Sequence, residues 1–192
     1  MRFEAVLFDL DGTLFDTKRL YLECYRRALA PVLGREPTDA EILALRPRSE
    51  VRFLLEHLAA DPHGEDRREA CFGLFYDAYE RLHADYFDGV YDGVADLIAT
   101  LRARRVRVGI VSGKSRRSWA ITLAHLTLGD FDALVLDDDV AEPKPHPEGL
   151  DRALAMLGVA PAAAAYVGDT MGDVAAAQAA GVTPIAAAWA RR

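Results

Sequence analysis

The stretch AVLFDLDGTLFDT, residues 5–17, decides how the rest of the sequence is interpreted. Its first four residues, Ala5–Phe8, are apolar and predict a short buried strand. Two aspartates, Asp9 and Asp11, follow this strand directly. Burying unpaired carboxylates is costly, and such groups normally become neutral or find a partner. The end of this strand is therefore a candidate functional site.

The composition is that of a globular protein. The chain has 192 residues, of which 51% are hydrophobic and 28% charged, with a formal net charge of −7. No basic block stands out, so we expect neither a nucleic acid nor a membrane as a partner. We find no signal-peptide pattern and no apolar stretch that could span a bilayer. Cys24 and Cys71 match no metal-binding spacing and are interpreted as free thiols, so we expect a soluble, cytoplasmic protein.

Short apolar runs along the chain predict a parallel sheet. They are Ala5–Phe8, Val106–Val111, Ala133–Leu136, Ala163–Val167 and Thr183–Ala187. Most are continuously apolar, which is typical of strands covered on both faces. Helical patterns separate the later strands, at Ser115–Leu126, Glu148–Leu157 and Asp173–Ala180. This alternation predicts a doubly wound α/β sheet.

The connection between the first two predicted strands is far longer than one crossover helix requires. Residues 17–86 carry apolar side chains at helical spacing, interrupted by proline and glycine. We interpret this segment as an inserted helical domain. The predicted core domain is then formed by residues 1–16 and 87–192.

Polar residues follow four of the predicted strands, where function collects in open parallel sheets. They are Asp9 and Asp11, then Ser112-Gly113-Lys114, then Lys144, then Asp169 and Asp173. Each group alone has a structural interpretation as a turn, a helix cap or a solvated side chain. Together, four carboxylates would repel one another without a cation, and Mg2+ is the hard ion that suits oxygen ligands. A lysine, a serine hydroxyl and backbone amides beside them would form an anion site, which indicates phosphoryl transfer.

The order FDLDGTL, VSGK, KPHPE and GDTMGD resembles the haloacid dehalogenase (HAD) superfamily of phosphatases. The inserted helices resemble the small cap of the subgroup that contains phosphoglycolate phosphatase and β-phosphoglucomutase. The resemblance implies a Rossmann-like parallel sheet of about five strands in the order 5-4-1-2-3. It also implies a helical cap domain at residues 17–86.

The resemblance implies a role for each motif residue. Asp9 would be the nucleophile that forms an aspartyl phosphate, and Asp11 the acid and base that serves both half-reactions. Lys144 would stabilise the charge that develops on the phosphoryl group and keep Asp9 ionised. Ser112, with the amide of Gly113, would hold phosphate oxygens.

The implied metal site holds Mg2+ between carboxylate and carbonyl oxygens. Its ligands would be Asp9, the carbonyl oxygen of Asp11, and Asp169, with Asp173 assisting directly or through water. Two further positions have open interpretations. Arg46 or Arg48 could reach a carboxylate or second phosphate of the substrate, or both could be solvated arginines on a helix edge.

We therefore expect a Mg2+-dependent phosphatase acting on a small phosphorylated metabolite similar to phosphoglycolate. The alternatives are a sugar-phosphate mutase or a pyrophosphatase of the same superfamily, or, in another class, a non-catalytic protein that binds a phosphate ligand. Asp11 argues against a dehalogenase, whose halide leaving group needs no proton. The implied partner is a small phosphate ester, and the expected state is a monomer or weak homodimer.

Overall fold

The strands and helices of the chain alternate as the sequence predicts. The computed structural model describes residues 3–44, 49–59, 63–126 and 128–191. The elements in chain order are β1 (Ala5–Phe8), α1 (Lys18–Leu33), α2 (Asp39–Ala44), α3 (Glu50–Ala59), α4 (Gly64–Tyr86), α5 (Val94–Ala103), β2 (Arg107–Val111), α6 (Arg116–Leu123), β3 (Ala133–Val135), α7 (Glu148–Leu157), β4 (Ala164–Gly168), α8 (Met171–Ala179) and β5 (Thr183–Ala186). Each predicted strand agrees with the observed one to within one residue at either end. None of the described helices is both long and apolar enough to cross a membrane.

The strands form a parallel sheet in the order β3-β2-β1-β4-β5. Read from its other edge, this is the predicted order 5-4-1-2-3, so the predicted fold is confirmed. β1 lies at the centre, between β2 and β4. The backbone amide of Asp9 continues the ladder and donates to the Val167 carbonyl at 2.9 Å. Asp9 therefore stands in the middle of the carboxyl edge of the sheet.

The central strands of the sheet are buried because they consist almost entirely of apolar residues. All four residues of β1 and all five of β4 are buried. Helix α7 packs on β2 and β3, and α8 packs on β4 and β5. Ala176 and Ala177 of α8 are fully buried. Such small side chains let the helix approach the sheet closely, so the loops before α8 are held firmly at the carboxyl edge.

The chain divides into two compact units. One contains residues Met1–Asp16, Gly89–Lys114 and Thr127–Arg192, and the other contains Thr17–Asp88 and Ser115–Leu126. The sequence analysis placed the helix after β2 in the core domain, whereas residues 115–126 group with the helical unit. The functional division into core and cap domains remains a prediction.

Hydrogen bonds between buried side chains join α6 to α4 within the helical unit. The Tyr79 and Thr122 hydroxyls lie 2.9 Å apart, and the Tyr76 hydroxyl donates to Ser115 Oγ at 3.1 Å. Buried hydroxyls need such partners. Here the two hydroxyls of each pair belong to parts of the chain that are distant in sequence. The sequence pattern shows only the apolar periodicity of α6, so it could not identify the unit to which this helix belongs.

The helical unit has its own core, formed mainly where α1 packs on α4. Tyr25 and Phe75 illustrate it, with ring centroids 5.2 Å apart. Cys24 and Cys71 are both buried in this core and are not joined by a disulfide bond. Aromatic pairs of this kind add about 0.5–1.5 kcal/mol beyond the area they bury.

Candidate active site

Carboxylates from the ends of two strands meet at the carboxyl edge. Asp9 follows β1 and Asp169 follows β4, while Asp173 lies in the first turn of α8. Their nearest carboxylate oxygens all lie within 4.8 Å of one another. The structure therefore brings together three of the four aspartates that the sequence analysis assigned to a metal.

The loop after β1 is shaped by contacts to its backbone and side chains. Gly12 has φ of +79°, and a Cβ at this position would lie 2.6 Å from Asp169 Oδ2. Glycine is required there for both reasons. Thr13 Oγ1 donates to Asp169 Oδ1 at 3.2 Å, and the Trp189 indole donates to the Thr13 carbonyl at 2.9 Å. The sequence analysis assigned no role to Thr13 or Trp189 in holding this loop.

Asp9 is a buried carboxyl group, with 6% of its surface exposed. Burial raises its pKa from 3.8 to about 7. The charge of Lys144 opposes this rise, and the charges of the neighbouring aspartates add to it. Asp9 Oδ1 lies 3.0 Å from Lys144 Nζ, but no hydrogen bond to this oxygen forms within the described residues. This buried oxygen thus lies beside the Lys144 ammonium.

Lys144 is the cation of the cluster. Its Nζ lies 2.6 Å from Asp173 Oδ1 and 3.0 Å from both Asp9 Oδ1 and the Tyr166 hydroxyl. Burial alone would lower the pKa of this lysine. The negative charges of Asp9 and Asp173 outweigh burial and raise the pKa well above its usual value. Lys144 is therefore a fixed positive charge beside Asp9.

Asp173 uses both of its carboxylate oxygens within the protein. Oδ2 accepts hydrogen bonds from the backbone amide and the hydroxyl of Thr170, at 2.9 and 2.6 Å. Oδ1 accepts from Lys144 and lies within hydrogen-bonding distance of the Tyr166 hydroxyl. Burial alone would raise its pKa, but Lys144 and the hydrogen bonds from Thr170 hold the pKa below its ordinary value. Asp173 is thus an ionised cap of α8 and a support for Lys144.

Tyr166 lies beneath the cluster and has no assigned role in the sequence analysis. Its hydroxyl donates to the carbonyl of Val111 at 2.7 Å and accepts from Lys144. Because β1 lies between β4 and β2, this side chain crosses the central strand below Asp9. Burial raises the pKa of Tyr166 well above its usual value, so the phenol remains neutral. A tyrosine in a fully buried strand requires a polar partner, and this requirement is the only sequence signal that could have identified it.

Three of the five residues predicted to bind the substrate or its phosphate lie along one cleft. Ser112, Gly113 and Lys144 line a recess that is open to solvent, together with Asp137 and Val140. Ser112 follows β2, and its Oγ accepts from the backbone amide of Lys114 at 3.4 Å. The cleft therefore combines a hydroxyl, a small backbone segment and a cation next to the carboxylates.

Asp11 stands apart from the three clustered carboxylates. Its two carboxylate oxygens lie 3.1 and 3.3 Å from the Nζ of Lys114. The sequence analysis named Lys114 only among the polar residues that follow the second strand. Arg46 and Arg48, the two arginines considered for substrate binding, lie outside the described residues.

The carboxylate cluster fits a hard divalent cation. Its donors are carboxylate oxygens, and Asp9 has a buried oxygen that accepts no hydrogen bond from the part of the chain that the structure describes. Burial and the charge of Asp173 also raise the pKa of Asp169. A divalent cation would offset both the burial of these carboxylates and their mutual repulsion, and oxygen ligands are those that Mg2+ prefers.

Comparisons with known proteins show the family of the chain. Residues 6–187 match the family of haloacid dehalogenase-like hydrolases. The chain is 33% identical over 190 residues to Pyrophosphatase PpaX of Anoxybacillus flavithermus, covering 98% of this chain and 85% of that protein. It is 34% identical over 183 residues to Phosphoglycolate phosphatase 1 of Pseudomonas aeruginosa, covering 92% of this chain and 66% of that protein.

A solved structure gives the same result at the level of the fold. It is the crystal structure of a protein from Lactobacillus plantarum that is proposed to be a phosphoglycolate phosphatase. The two chains are 26% identical and have a TM-score of 0.83, with 100% of this chain and 89% of the other covered. The resemblance inferred from the four motifs is confirmed, and the chain belongs to the haloacid dehalogenase-like hydrolases.

Proposed function

We propose that this hydrolase is a Mg2+-dependent phosphatase that cleaves a small phosphorylated metabolite through an aspartyl phosphate on Asp9. One observation carries the proposal: the Asp9 carboxylate and the Lys144 ammonium, 3.0 Å apart, lie beside two further carboxylates. Ser112 and Gly113 line the neighbouring cleft with Lys144. This arrangement combines a nucleophile, a cation and an anion site.

In the first half-reaction, an Asp9 carboxylate oxygen attacks phosphorus in line with the leaving group. The new bond joins Asp9 to the phosphoryl group, and the bond from phosphorus to the leaving oxygen breaks. Asp11 donates a proton to that oxygen, so the leaving group departs as a neutral hydroxyl. Lys144, Ser112 and the Gly113 amide stabilise the negative charge on the phosphoryl oxygens.

In the second half-reaction, water attacks the phosphorus atom of the aspartyl phosphate. Asp11, now a carboxylate, takes a proton from this water as it attacks. The bond between Asp9 and phosphorus breaks, inorganic phosphate is released, and the Asp9 carboxylate is restored. Asp11 therefore finishes the cycle in the protonated state in which it began.

Asp9, Asp169 and the carbonyl oxygen of Asp11 would hold Mg2+. When bound, this ion supplies positive charge that offsets the repulsion between an anionic nucleophile and an anionic phosphate. Asp173 already accepts hydrogen bonds at both of its oxygens. This supports a role for Asp173 in holding Lys144 and reaching the ion through water.

The substrate that we propose is a small anionic phosphate compound similar to phosphoglycolate. The likeness to a phosphoglycolate phosphatase supports this choice. The likeness to pyrophosphatases, of which the chain covers the larger share, makes inorganic pyrophosphate the second candidate. A sugar-phosphate mutase and a non-catalytic phosphate-binding protein are the remaining alternatives, and the same assay distinguishes them.

The test is phosphate release from phosphoglycolate, pyrophosphate and a series of sugar phosphates, with Mg2+ and with EDTA. We expect Mg2+-dependent release that Asp9→Asn abolishes while the fold is retained. Asp130→Asn, an exposed aspartate just before β3, is the matched control and should behave as the parent protein does. Isomerisation of a sugar phosphate without phosphate release would indicate a mutase. Binding of phosphate without turnover of any compound would indicate a binding protein.

A further inference from the structure

We propose that Lys114 is a positioning residue that holds the Asp11 carboxylate for proton transfer. The inference rests on the proposed function, in which Asp11 serves as acid and base. It assigns Lys114 a specific task, whereas the sequence analysis named it only among the polar residues that follow the second strand.

The geometry of the pair supports this role. Lys114 Nζ lies 3.1 Å from Asp11 Oδ1 and 3.3 Å from Oδ2, so the ammonium spans both oxygens of the carboxylate. The Lys114 side chain is fully buried, whereas 22% of the Asp11 side chain is exposed. The buried lysine therefore holds a carboxyl group that is still partly accessible to solvent.

The backbone of Lys114 is fixed at both ends. Its amide donates to Ser112 Oγ at 3.4 Å, and its carbonyl accepts from the Asp137 amide at 3.0 Å. Ser112 is itself joined to β3, because its amide donates to the Val135 carbonyl at 3.0 Å. A long lysine side chain ordinarily has many rotamers, and burying it on an anchored backbone leaves few of them. The ammonium is thus held in place for Asp11.

Two lysines serve the two aspartates of the loop after β1. Lys144 lies 3.0 Å from Asp9, and Lys114 lies 3.1 Å from Asp11. Asp9 makes and breaks bonds to phosphorus, while Asp11 moves protons. Loss of the Lys114 charge should therefore impair the proton transfers and leave the attack by Asp9 largely intact.

A leaving group that needs no proton separates these two effects. p-Nitrophenolate is a weak base and departs without protonation, whereas an alkoxide must be protonated as it leaves. In a single turnover of p-nitrophenyl phosphate, release of nitrophenolate reports the attack by Asp9. Release of inorganic phosphate then reports the attack by water, which requires Asp11 as base.

The test compares Lys114→Met with the parent protein in single turnovers, with enzyme in excess and Mg2+ present. We expect nitrophenolate release to stay within about twofold, and phosphate release to slow by roughly 10- to 100-fold, which is part of the general acid–base contribution. With an alkyl phosphate, kcat should fall by a similar factor with little change in KM. Lys114→Arg should recover part of the loss, because it restores the cation. Lys18→Met, which changes an exposed lysine, is the matched control.

Equal slowing of nitrophenolate and phosphate release in Lys114→Met would overturn the proposal, because a general structural defect affects both steps. If Lys114→Met does not fold, the double variant Asp11→Asn/Lys114→Met removes both charges and avoids an unpaired buried carboxylate. The proposal then requires this double variant to match Asp11→Asn in both release rates, and a further loss would contradict it. If Asp11→Asn itself slows both releases equally, the acid and base role of Asp11 is wrong. The positioning role of Lys114 is then wrong as well. Turnover that survives in Asp9→Asn would instead refute the proposed mechanism at its first step.

Discussion

The charge of Asp9 should destabilise the metal-free protein, so we expect Asp9→Asn to be more stable than the parent in EDTA. Asp9 is 6% exposed, and its pKa is raised to about 7 by burial. Above this pH the folded protein carries a buried carboxylate that the unfolded chain carries in water. Asparagine has nearly the same shape and no charge. The carboxylate on which the proposed chemistry depends is therefore expected to lower the stability of the folded protein, as functional groups often do.

The size of the effect follows from the pKa shift. Each tenfold change in an acid dissociation constant is worth about 1.4 kcal/mol, so a shift from 3.8 to about 7 corresponds to about 4 kcal/mol. This value already includes the attraction of Lys144. Because the folded pKa is the higher one, the stability contributed by protonated Asp9 is lost as the pH rises from 3.8 through 7. We expect a gain for Asp9→Asn of about 4 kcal/mol at pH 8 and of about 1–2 kcal/mol at pH 5.

The assay is urea denaturation in EDTA, followed by tryptophan fluorescence. The Trp119→Phe background leaves Trp189, which lies in the same compact unit as Asp9, as the reporter. Adding Mg2+ should reverse part of the difference, because an ion that binds only the folded state stabilises it, by about 2.7 kcal/mol at a concentration of 100 Kd. Asp130→Asn is the control for loss of an aspartate charge. Equal or lower stability of Asp9→Asn at pH 8 in EDTA, or a gain that does not grow between pH 5 and 8, would refute the reasoning.

Two further substitutions test the residues that hold Lys144 and Asp169 in place. Tyr166→Phe removes the hydroxyl between Val111 and Lys144, so we expect a loss of about 1–3 kcal/mol in unfolding free energy together with a lower kcat. Urea denaturation and steady-state kinetics measure both, and an unchanged kcat would show that Lys144 does not need this contact. Gly12→Ala places a Cβ 2.6 Å from Asp169 Oδ2 at a φ of +79°, so stabilisation by Mg2+ should be lost. Gly158→Ala is the control: its φ is +63° and no atom lies within 4 Å of its Cβ, so it introduces backbone strain without a clash. This variant should retain the stabilisation by Mg2+. Unfolding with and without Mg2+ measures the stabilisation of both variants.

Much of the fold could be predicted because its signals are local. The apolar runs identified each strand to within one residue. The four motifs also identified the family: three of them stand at the end of a strand, and KPHPE lies in the segment that leads from β3 to α7. Parallel strands end on the same edge of a sheet, so Asp9 and Asp169 had to lie near each other. The predicted roles of these residues remain to be tested.

The helix after β2 shows where local signals are insufficient. Its apolar periodicity is the same whether it covers the sheet or packs against other helices. The contacts that decide this are hydrogen bonds to Tyr76 and Tyr79, about 40 residues away along the chain. Contacts within the site also join residues that are distant in sequence. Lys114 and Asp11, for example, are 103 positions apart.

The sequence by itself determined the strands, the order along the chain of the motifs that follow them, and the residue types gathered at the carboxyl edge. Spacing of two along an extended segment and the apolar character of each run are sufficient for that. Only the tertiary structure decided which cation serves which aspartate, and which buried side chains hold them. Lys144 meets Asp9 and Lys114 meets Asp11 because the segments after β1, β2 and β3 converge at the carboxyl edge of the sheet. Tyr166 reaches Val111 across β1 for the same reason, since a buried polar atom bonds to whatever partner the packing brings near.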